Sequence, residues 1–308
     1  MKQYKRNGAT KFMNTKSAFV AIVGMPNVGK SSLLNRLVGE KVAIVSAKPQ
    51  TTRTRITGIL TQGDTQLVFI DTPGMHSPKT KLGSYMVGQI QDSIADVNLA
   101  ILVTEPLGEI RRQELEMAQK LRAKRIPTIL AVNKIDALDR KEKMLEKIAA
   151  FSAQMDFQEV VPISALAGDG VDILLERTLQ SAEPGPHYFD DAAFTDQPER
   201  VIVAELIREK LLQSLQQEIP HGTAVSVETM KERADRDILD IEAIIYCEKA
   251  SHKGMIIGKG GAMLKRVASR SRVELESFFG IQVNLQCWVK VKDDWRNREG
   301  LIRNFGFQ

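Results

Sequence analysis

The sequence predicts an α/β protein: a doubly wound, mostly parallel sheet followed by a smaller α+β domain. In the first half, short apolar runs alternate with helical patterns, which is typical of parallel strands joined by helices. The run Glu183-Pro184-Gly185-Pro186 then breaks helix and strand alike. A length of 308 residues is too great for one ordinary core and suits two domains.

Composition bounds the class of protein. Apolar residues make up 43% and charged residues 26% of the chain, as in globular proteins. No apolar run is long enough to span a bilayer, no signal-peptide pattern follows the N-terminus, and Cys247 and Cys287 are predicted to be buried thiols, so we expect a cytoplasmic protein. The predicted organisation is a basic flexible tail over 1–16, a first domain over 17–182, a linker over 183–199 and a second domain over 200–308.

Six strands are predicted in the first domain. The turn Gln62-Gly63-Asp64 separates the second from the third, so these two are expected to form an antiparallel hairpin at the edge of an otherwise parallel sheet. The predicted strands are Phe19–Val23, Thr54–Ile59, Gln66–Ile70, Leu99–Val103, Thr128–Val132 and Val160–Ile163.

The second domain is predicted to run helix, strand, strand, helix, helix, strand. An amphipathic helix over Arg200–Leu215 is followed by strands over Thr223–Thr229 and Ile238–Cys247, and Val283–Val291 is the last strand. From Lys249 to the C-terminus the chain carries twelve Lys/Arg and five Asp/Glu. This excess suggests a polyanionic partner, although a solvated charged surface would have the same composition.

A phosphate-binding loop is the strongest local signal. Two glycines separated by four residues precede Lys and Ser, with an apolar strand before and a helix after. Lys30 is expected to reach the β- and γ-phosphates, and the Ser31 hydroxyl to bind Mg²⁺. A chance match in a Gly-containing turn is disfavoured by the strand–loop–helix order. The predicted nucleotide contacts in this loop are Gly24, Asn27, Val28, Gly29, Lys30, Ser31 and Ser32.

Three further motifs follow predicted strands. In Asp71-Thr72-Pro73-Gly74, the acid would approach Mg²⁺ through water and the Gly74 N–H would meet the γ-phosphate. In Asn133-Lys134-Ile135-Asp136, the Asp136 carboxylate would accept hydrogen bonds from the N1–H and exocyclic amine of guanine, a donor pair that adenine lacks. Asn133 would brace neighbouring loops and Lys134 would lie along the base. Ser164-Ala165 would offer an N–H to the guanine carbonyl.

On these motifs the chain resembles P-loop GTPases of the translation-factor-related class. The resemblance implies a threonine that binds Mg²⁺ only with GTP; Thr52 is the prediction and Thr51 the alternative. Met75 stands where many small GTPases carry a water-orienting Gln, so slow intrinsic hydrolysis is expected. In some relatives an Asn at the position of Asn27 helps coordinate K⁺, which is a hypothesis for this chain beside a purely loop-shaping role. The residues expected to act in catalysis are Lys30, Thr52, Asp71 and Gly74.

The second domain carries the Gly-x-x-Gly loop of KH domains, which clamp a single strand of about four nucleotides. Lys259 would face phosphates, and Ile256 and Ile257 are expected to form an apolar floor under the bases. A plain Gly-rich turn is the alternative, disfavoured by the basic surroundings and by an element order that matches type II KH domains. The predicted RNA contacts are Lys253, Ile256, Ile257, Gly258, Lys259, Gly260, Gly261 and Lys265.

A GTPase domain joined to a type II KH domain resembles the Era family of GTPases, from about Ser17 to the C-terminus. The resemblance implies a monomer that binds GTP or GDP with Mg²⁺, the single-stranded 3′ end of 16S ribosomal RNA and the maturing 30S subunit. It also implies loose contact with the inner face of the cytoplasmic membrane. RNA is preferred to single-stranded DNA because of the pairing of the two domains.

Several alternatives remain at this point. A metabolic P-loop kinase or ATPase would not need the Asn-Lys-x-Asp motif, and a tRNA-modification GTPase would carry a modification domain in place of the KH loop. An RNA-binding module with an inactive nucleotide site is disfavoured because Lys30, Ser31, Asp71 and Asp136 are intact. A GTPase that acts on another RNA is the remaining alternative.

Overall fold

The computed structural model of the protein describes residues 15–46, 48, 51–75, 78, 80–140, 142–216 and 219–306. These residues form two compact units. The first contains the described residues up to 43, of 54–76 and of 88–196, and the second contains those of 44–53, of 77–87 and from 197 onward. The predicted tail falls almost entirely outside the described residues. None of the helices in the described ranges is long and apolar enough to cross a membrane.

The first unit is built on a seven-stranded sheet with its strands in the order β2-β3-β1-β4-β5-β6, and β7 paired to β1. Every pair along this order is parallel except β2–β3, which confirms the doubly wound fold with a hairpin at its edge. The strands are β1 Lys16–Gly24, β2 Ile56–Gln62, β3 Thr65–Asp71, β4 Leu99–Thr104, β5 Thr128–Val132, β6 Glu159–Pro162 and β7 Glu183–Pro184.

Five helices of the described ranges connect these strands, although the second of them belongs to the second unit up to residue 87. A continuous apolar core lies between helices and sheet. The central strands β4 and β5 are buried along their whole length, as expected for parallel strands covered on both faces. The helices are α1 Lys30–Val38, α2 Lys81–Ser93, α3 Arg112–Ala123, α4 Glu142–Ser152 and α5 Val171–Leu179.

The segment predicted as a linker follows the edge of the first sheet. The backbone N–H of Ile59 in β2 donates to the carbonyl of Phe194 at 2.9 Å. The Gln66 side chain accepts hydrogen bonds from the N–H groups of Tyr188 and Phe189 at 2.7 and 3.0 Å. At Ile59 this segment therefore pairs with the edge of β2, the outermost strand of the sheet, and at Gln66 it contacts β3.

The second unit contains a three-stranded sheet in the order β10-β9-β8, with β9–β10 parallel and β8–β9 antiparallel. Its elements follow the predicted helix–strand–strand–helix–helix–strand order. Inward residues of β9 alternate with half-buried ones, so the helices pack on one face. The elements are α6 Glu199–Ser214, β8 Ala224–Glu232, β9 Ile238–Cys247, α7 Ala250–Ile257, α8 Ala262–Phe279, β10 Gln282–Val291 and α9 Glu299–Asn304.

Candidate functional site

The phosphate-binding loop connects the carboxyl end of β1 to the start of α1. Gly29, the last loop residue, has a φ of 99°, and a Cβ there would overlap the amide of Asn133. Only glycine allows this close approach. The backbone N–H groups at the start of α1 then point toward the space that an anion would occupy.

Lys30 is the buried cation of this loop. Its side chain is 6% exposed, and Nζ donates to the carbonyls of Gly24 at 3.2 Å and Met25 at 3.0 Å. Burial lowers the pKa of Lys30 to about 8, and the Asp71 carboxylate opposes that shift. A bound phosphate would add negative charge beside the ammonium group and favour its charged form.

Ser31 and Asp71 bring two oxygen donors together. The Ser31 hydroxyl donates to Oδ2 of Asp71 at 2.6 Å, because β3 runs parallel to β1 and ends beside the loop. Both are ligands of the kind that Mg²⁺ prefers. Just beyond, the N–H of Met75 donates to the Gly24 carbonyl at 3.2 Å, so the Asp-x-x-Gly segment lies against the phosphate-binding loop.

The guanine motif is assembled from three loops. Asn133 donates to the Val28 carbonyl at 2.7 Å and accepts from the Ala165 N–H at 2.9 Å. Oδ1 of Asp136 accepts a hydrogen bond from the Ser164 hydroxyl at 2.6 Å. The predicted bracing role of Asn133 thus has a geometric basis, and the Asp136 carboxylate is held in place by Ser164.

Glu105 belongs to this site and was missed by sequence reasoning. It directly follows β4, and its carboxylate forms an ion pair with Lys134 of the guanine motif. The rule that singled out Asp71 and Asp136, a polar residue at the carboxyl end of a parallel strand, also applies to Glu105. A cavity of about 350 Å³ lies beside it, lined in part by Met25 and Val28.

The Gly-x-x-Gly loop lies between α7 and α8 in the second unit. Gly258 has a φ of 74°, and a Cβ there would come within 2.7 Å of the Met263 Cβ, so a larger residue would displace the start of α8. The side chains of Lys253, Lys259 and Lys265 are exposed around the loop. The loop thus presents backbone and positive charge to solvent.

Two family models match the chain. One, described as a 50S ribosome-binding GTPase, matches residues 19–134, and the other, a KH domain, matches residues 218–296. Over 292 residues the chain is 50% identical to GTPase Era of Clostridioides difficile (strain 630), covering 95% of this chain and 98% of the relative. The chain belongs to the Era family of GTPases. It hydrolyses GTP to GDP and phosphate.

Solved structures of Era have the same architecture. A variant of Aquifex aeolicus Era bound to GDP and AlF₄⁻ is 36% identical, with a TM-score of 0.91 over 95% of this chain and 99% of that one. A complex of Era with MgGDPNP and nucleotides 1506–1542 of 16S ribosomal RNA matches with the same TM-score, identity and coverage. These matches agree with a GTPase fold followed by a KH fold.

One predicted contact of this Era-family KH domain is corrected by the structure. Ile256 is fully buried in the core of the second unit, so its side chain cannot form the floor of an open groove. Helical geometry turns its neighbours outward: Met255 is 48% exposed and Ile257 is half-buried. The apolar surface beside the loop is therefore formed by Met255 and Ile257.

The two threonines predicted as alternative magnesium ligands lie in the second unit, whereas Lys30, Ser31 and Asp71 lie in the first. Thr52 is 6% exposed and Thr51 is half-buried. The segments that follow the phosphate-binding loop and the Asp-x-x-Gly motif therefore pack, in part, with the KH portion of this Era-family chain.

Proposed function

We propose that this Era-family GTPase is a nucleotide-controlled RNA-binding protein that acts in assembly of the small ribosomal subunit. Its ligand in this proposal is the single-stranded 3′ end of 16S ribosomal RNA, and it works as a monomer in the cytoplasm. The observation that carries the proposal is an exposed, lysine-flanked KH loop in the same chain as an assembled guanine motif.

The KH loop supports the RNA assignment. Its glycines leave the backbone open to a sugar-phosphate chain, and the exposed Lys253, Lys259 and Lys265 supply charge to neighbouring phosphates. Met255 and Ile257 provide apolar contacts for unstacked bases. The relative whose complex contains nucleotides 1506–1542 of 16S ribosomal RNA is the precedent for this ligand.

The nucleotide site fits a magnesium ion. Ser31 and Asp71 would hold it, directly or through water, and Thr52 would join them when GTP is bound. The ion would neutralise charge on the β- and γ-phosphates. Lys30 would contribute a second positive charge and Asp136 would orient the base, whereas the Ala165 N–H predicted to meet the guanine carbonyl donates to Asn133 in this structure. The segments that carry Thr52 and Gly74 would then be ordered only with GTP and would relax after hydrolysis.

Hydrolysis by this chain alone is expected to be slow. Met75 occupies the position of a water-orienting glutamine, its side chain is 6% exposed, and a thioether is a poor hydrogen-bond partner for water. We propose that K⁺, coordinated in part by Asn27, stabilises the developing charge. Comparison of turnover in KCl and NaCl tests this: equal rates would leave Asn27 with a loop-shaping role only.

Fluorescence anisotropy tests the RNA proposal. A labelled oligonucleotide with the 3′-terminal sequence of 16S ribosomal RNA is titrated with protein in a GTP analogue and then in GDP, beside a scrambled oligonucleotide. Tighter binding with the analogue is expected. Lys259→Ala should weaken it, whereas Lys231→Ala, at an exposed position on β8, is the matched control. Binding that ignores the RNA sequence would contradict the assigned ligand.

Peripheral contact with the cytoplasmic membrane is a separate part of the proposal. The basic C-terminal region, with twelve Lys/Arg against five Asp/Glu, would supply it by attraction to anionic lipid. Flotation with phosphatidylglycerol vesicles, and with neutral vesicles as control, distinguishes this contact from nonspecific adsorption.

A further inference from the structure

The described residues of 44–53, among them the two threonines predicted as alternative magnesium ligands, belong to the second unit and are held there by α6. The N–H of Val45 donates to Oε1 of Glu209 at 2.8 Å, and the Arg208 guanidinium donates to the Thr51 carbonyl. Ile44 lies in the apolar core of the second unit. The position of this segment thus depends on KH-domain residues.

Arg53 makes the most buried of these contacts. It is 1% exposed, and its guanidinium donates to the carbonyls of Thr223 at 2.6 Å and His221 at 2.8 Å. The same group lies 5.8 Å from the ring centre of Trp295. A buried guanidinium that bridges two main-chain carbonyls and an aromatic ring fixes its own backbone closely, since each partner constrains a different direction.

The carbonyl and ring contacts of Arg53 compensate only part of the free-energy cost of burying its positive charge. In the ranges that the structure describes, no carboxylate is within ion-pair distance of Arg53, and its Nε has no hydrogen-bond partner. A buried cation without a direct counter-charge is costly. The Arg53 contacts are therefore less strongly favoured than those of a buried arginine paired with a carboxylate.

Trp295 connects this contact to a second segment of the same unit. Its Nε1 donates to the Gly222 carbonyl at 2.9 Å, between the two carbonyls that Arg53 binds. The fully buried ring belongs to an apolar cluster with Leu82 and Met86 of α2, the helix that follows the Asp-x-x-Gly motif. Trp295 therefore contacts both Arg53, in the segment with the predicted magnesium ligands, and the start of α2, which follows the Asp-x-x-Gly motif.

We propose that Arg53 is the positioning residue through which the state of the nucleotide site is transmitted to the KH domain. Magnesium coordination by Thr52 and the carbonyl contacts of Arg53 act on adjacent residues of one short segment, so each constrains the other. The inference rests on the proposed nucleotide-dependent RNA binding and names the contact that produces it.

Tryptophan fluorescence tests the contact directly. The chain has two tryptophans, and Trp288 is 45% exposed on β10, so Trp288→Phe leaves Trp295 as a single probe. A Mg²⁺-bound GTP analogue is expected to change Trp295 emission, whereas GDP leaves it as in the nucleotide-free protein. Arg53→Ala should abolish the nucleotide-dependent change. A nucleotide-dependent change in Trp295 emission that persists in Arg53→Ala would overturn the proposal.

RNA affinity supplies the functional readout. In the natural protein the ratio of affinities with analogue and with GDP is expected to be on the order of 5- to 150-fold, as in other coupled sites. Arg53→Ala should bring this ratio close to one while GDP affinity is retained. Arg53→Lys, which keeps the positive charge but cannot bind both carbonyls as the planar guanidinium does, should restore part of the ratio. Arg55→Ala is the control, because Arg55 is exposed two residues away.

The outcomes separate this inference from the function on which it rests. Equal RNA affinities in the natural protein would overturn both the switch and the role of Arg53. A coupled natural protein with an equally coupled Arg53→Ala would overturn only the role of Arg53. Loss of GDP binding in both Arg53 variants, with folding verified by circular dichroism, would also overturn it, since Arg53 would then serve the nucleotide site itself.

Discussion

The two loops proposed to bind phosphate groups use the same residue types in opposite surroundings. The phosphate-binding loop encloses Lys30, which is 6% exposed and has a pKa lowered to about 8 by burial. The KH loop leaves Lys259 exposed between glycines. The first loop is a preformed cage for one compact anion, and the second is an open edge along which a polymer can lie.

This contrast shows that burial of the lysine determines whether a loop selects one compact anion or accepts any phosphate of a chain. A buried charge interacts strongly with an anion because little water screens it, but it binds only a ligand that fits the enclosure. An exposed charge contributes less for each contact and accepts any phosphate that passes. Discrimination by the nucleotide loop is therefore expected to be sharp, and that of the KH loop to depend on base contacts beside it.

The largest expected difference comes from matched lysine substitutions. Lys30→Met should weaken GDP binding by about 10- to 150-fold, since a charge-assisted hydrogen bond to the β-phosphate is lost at about 1.5–3 kcal/mol. Lys259→Met should weaken RNA binding only a few-fold, at under about 1 kcal/mol. Titration with fluorescent GDP and with labelled RNA measures both.

Thermal unfolding is the control for this pair. Lys30→Met removes a buried cation, so the nucleotide-free fold should be retained and its melting temperature should not fall sharply. Losses of similar size for the two ligands would contradict the proposed difference between an enclosed and an open loop.

The pH dependence of GDP binding sharpens the same contrast. Burial lowers the pKa of Lys30 in the nucleotide-free protein to about 8, and a bound phosphate raises it, so binding is full below about pH 8 and is lost as the pH rises from there through the higher pKa of the bound state. Between pH 7 and 9 the affinity should fall by about tenfold. The Lys30→Met variant has no titrating group at this position, so its pH profile reports only ionisation of the guanine base and serves as the control. A natural protein with the same pH profile as Lys30→Met would contradict it.

The smallest effect concerns salt. For single-stranded RNA, the slope of log affinity against log salt is about −0.7 for each neutralised phosphate, so three exposed lysines predict a slope of about −2. Lys259→Met should reduce its magnitude by about 0.7. GDP binding should change less over the same range, because the enclosed charge of Lys30 is screened less by salt. Equal slopes for the two ligands would show that the KH loop does not rely on its exposed charge.

Much of the nucleotide site could be predicted from local patterns. The loop at Gly24–Ser31, the acid Asp71 and the guanine motif at 133–136 each follow an apolar strand, and parallel strands bring their carboxyl ends to one edge. The hairpin of β2 and β3 followed from a turn signal at Gly63 in the same way. These features depend on neighbours in sequence, which short patterns record.

Other features depend on contacts between distant residues. Glu105 joined the base site only through its ion pair with Lys134, which no short motif contains. Ile256 is apolar like Ile257, but the rotation of α7 against its core buries one and half-exposes the other.

The amino-acid sequence by itself determined the two folds, their order and the chemistry of both loops, because strand and helix periodicity and glycine positions act locally. Only the tertiary structure decided that the described residues of 44–53 pack with the KH portion and that Arg53 reaches main-chain carbonyls about 170 residues away in sequence. Backbone carbonyls are the same at every position, so no sequence pattern specifies which of them a buried arginine will bind.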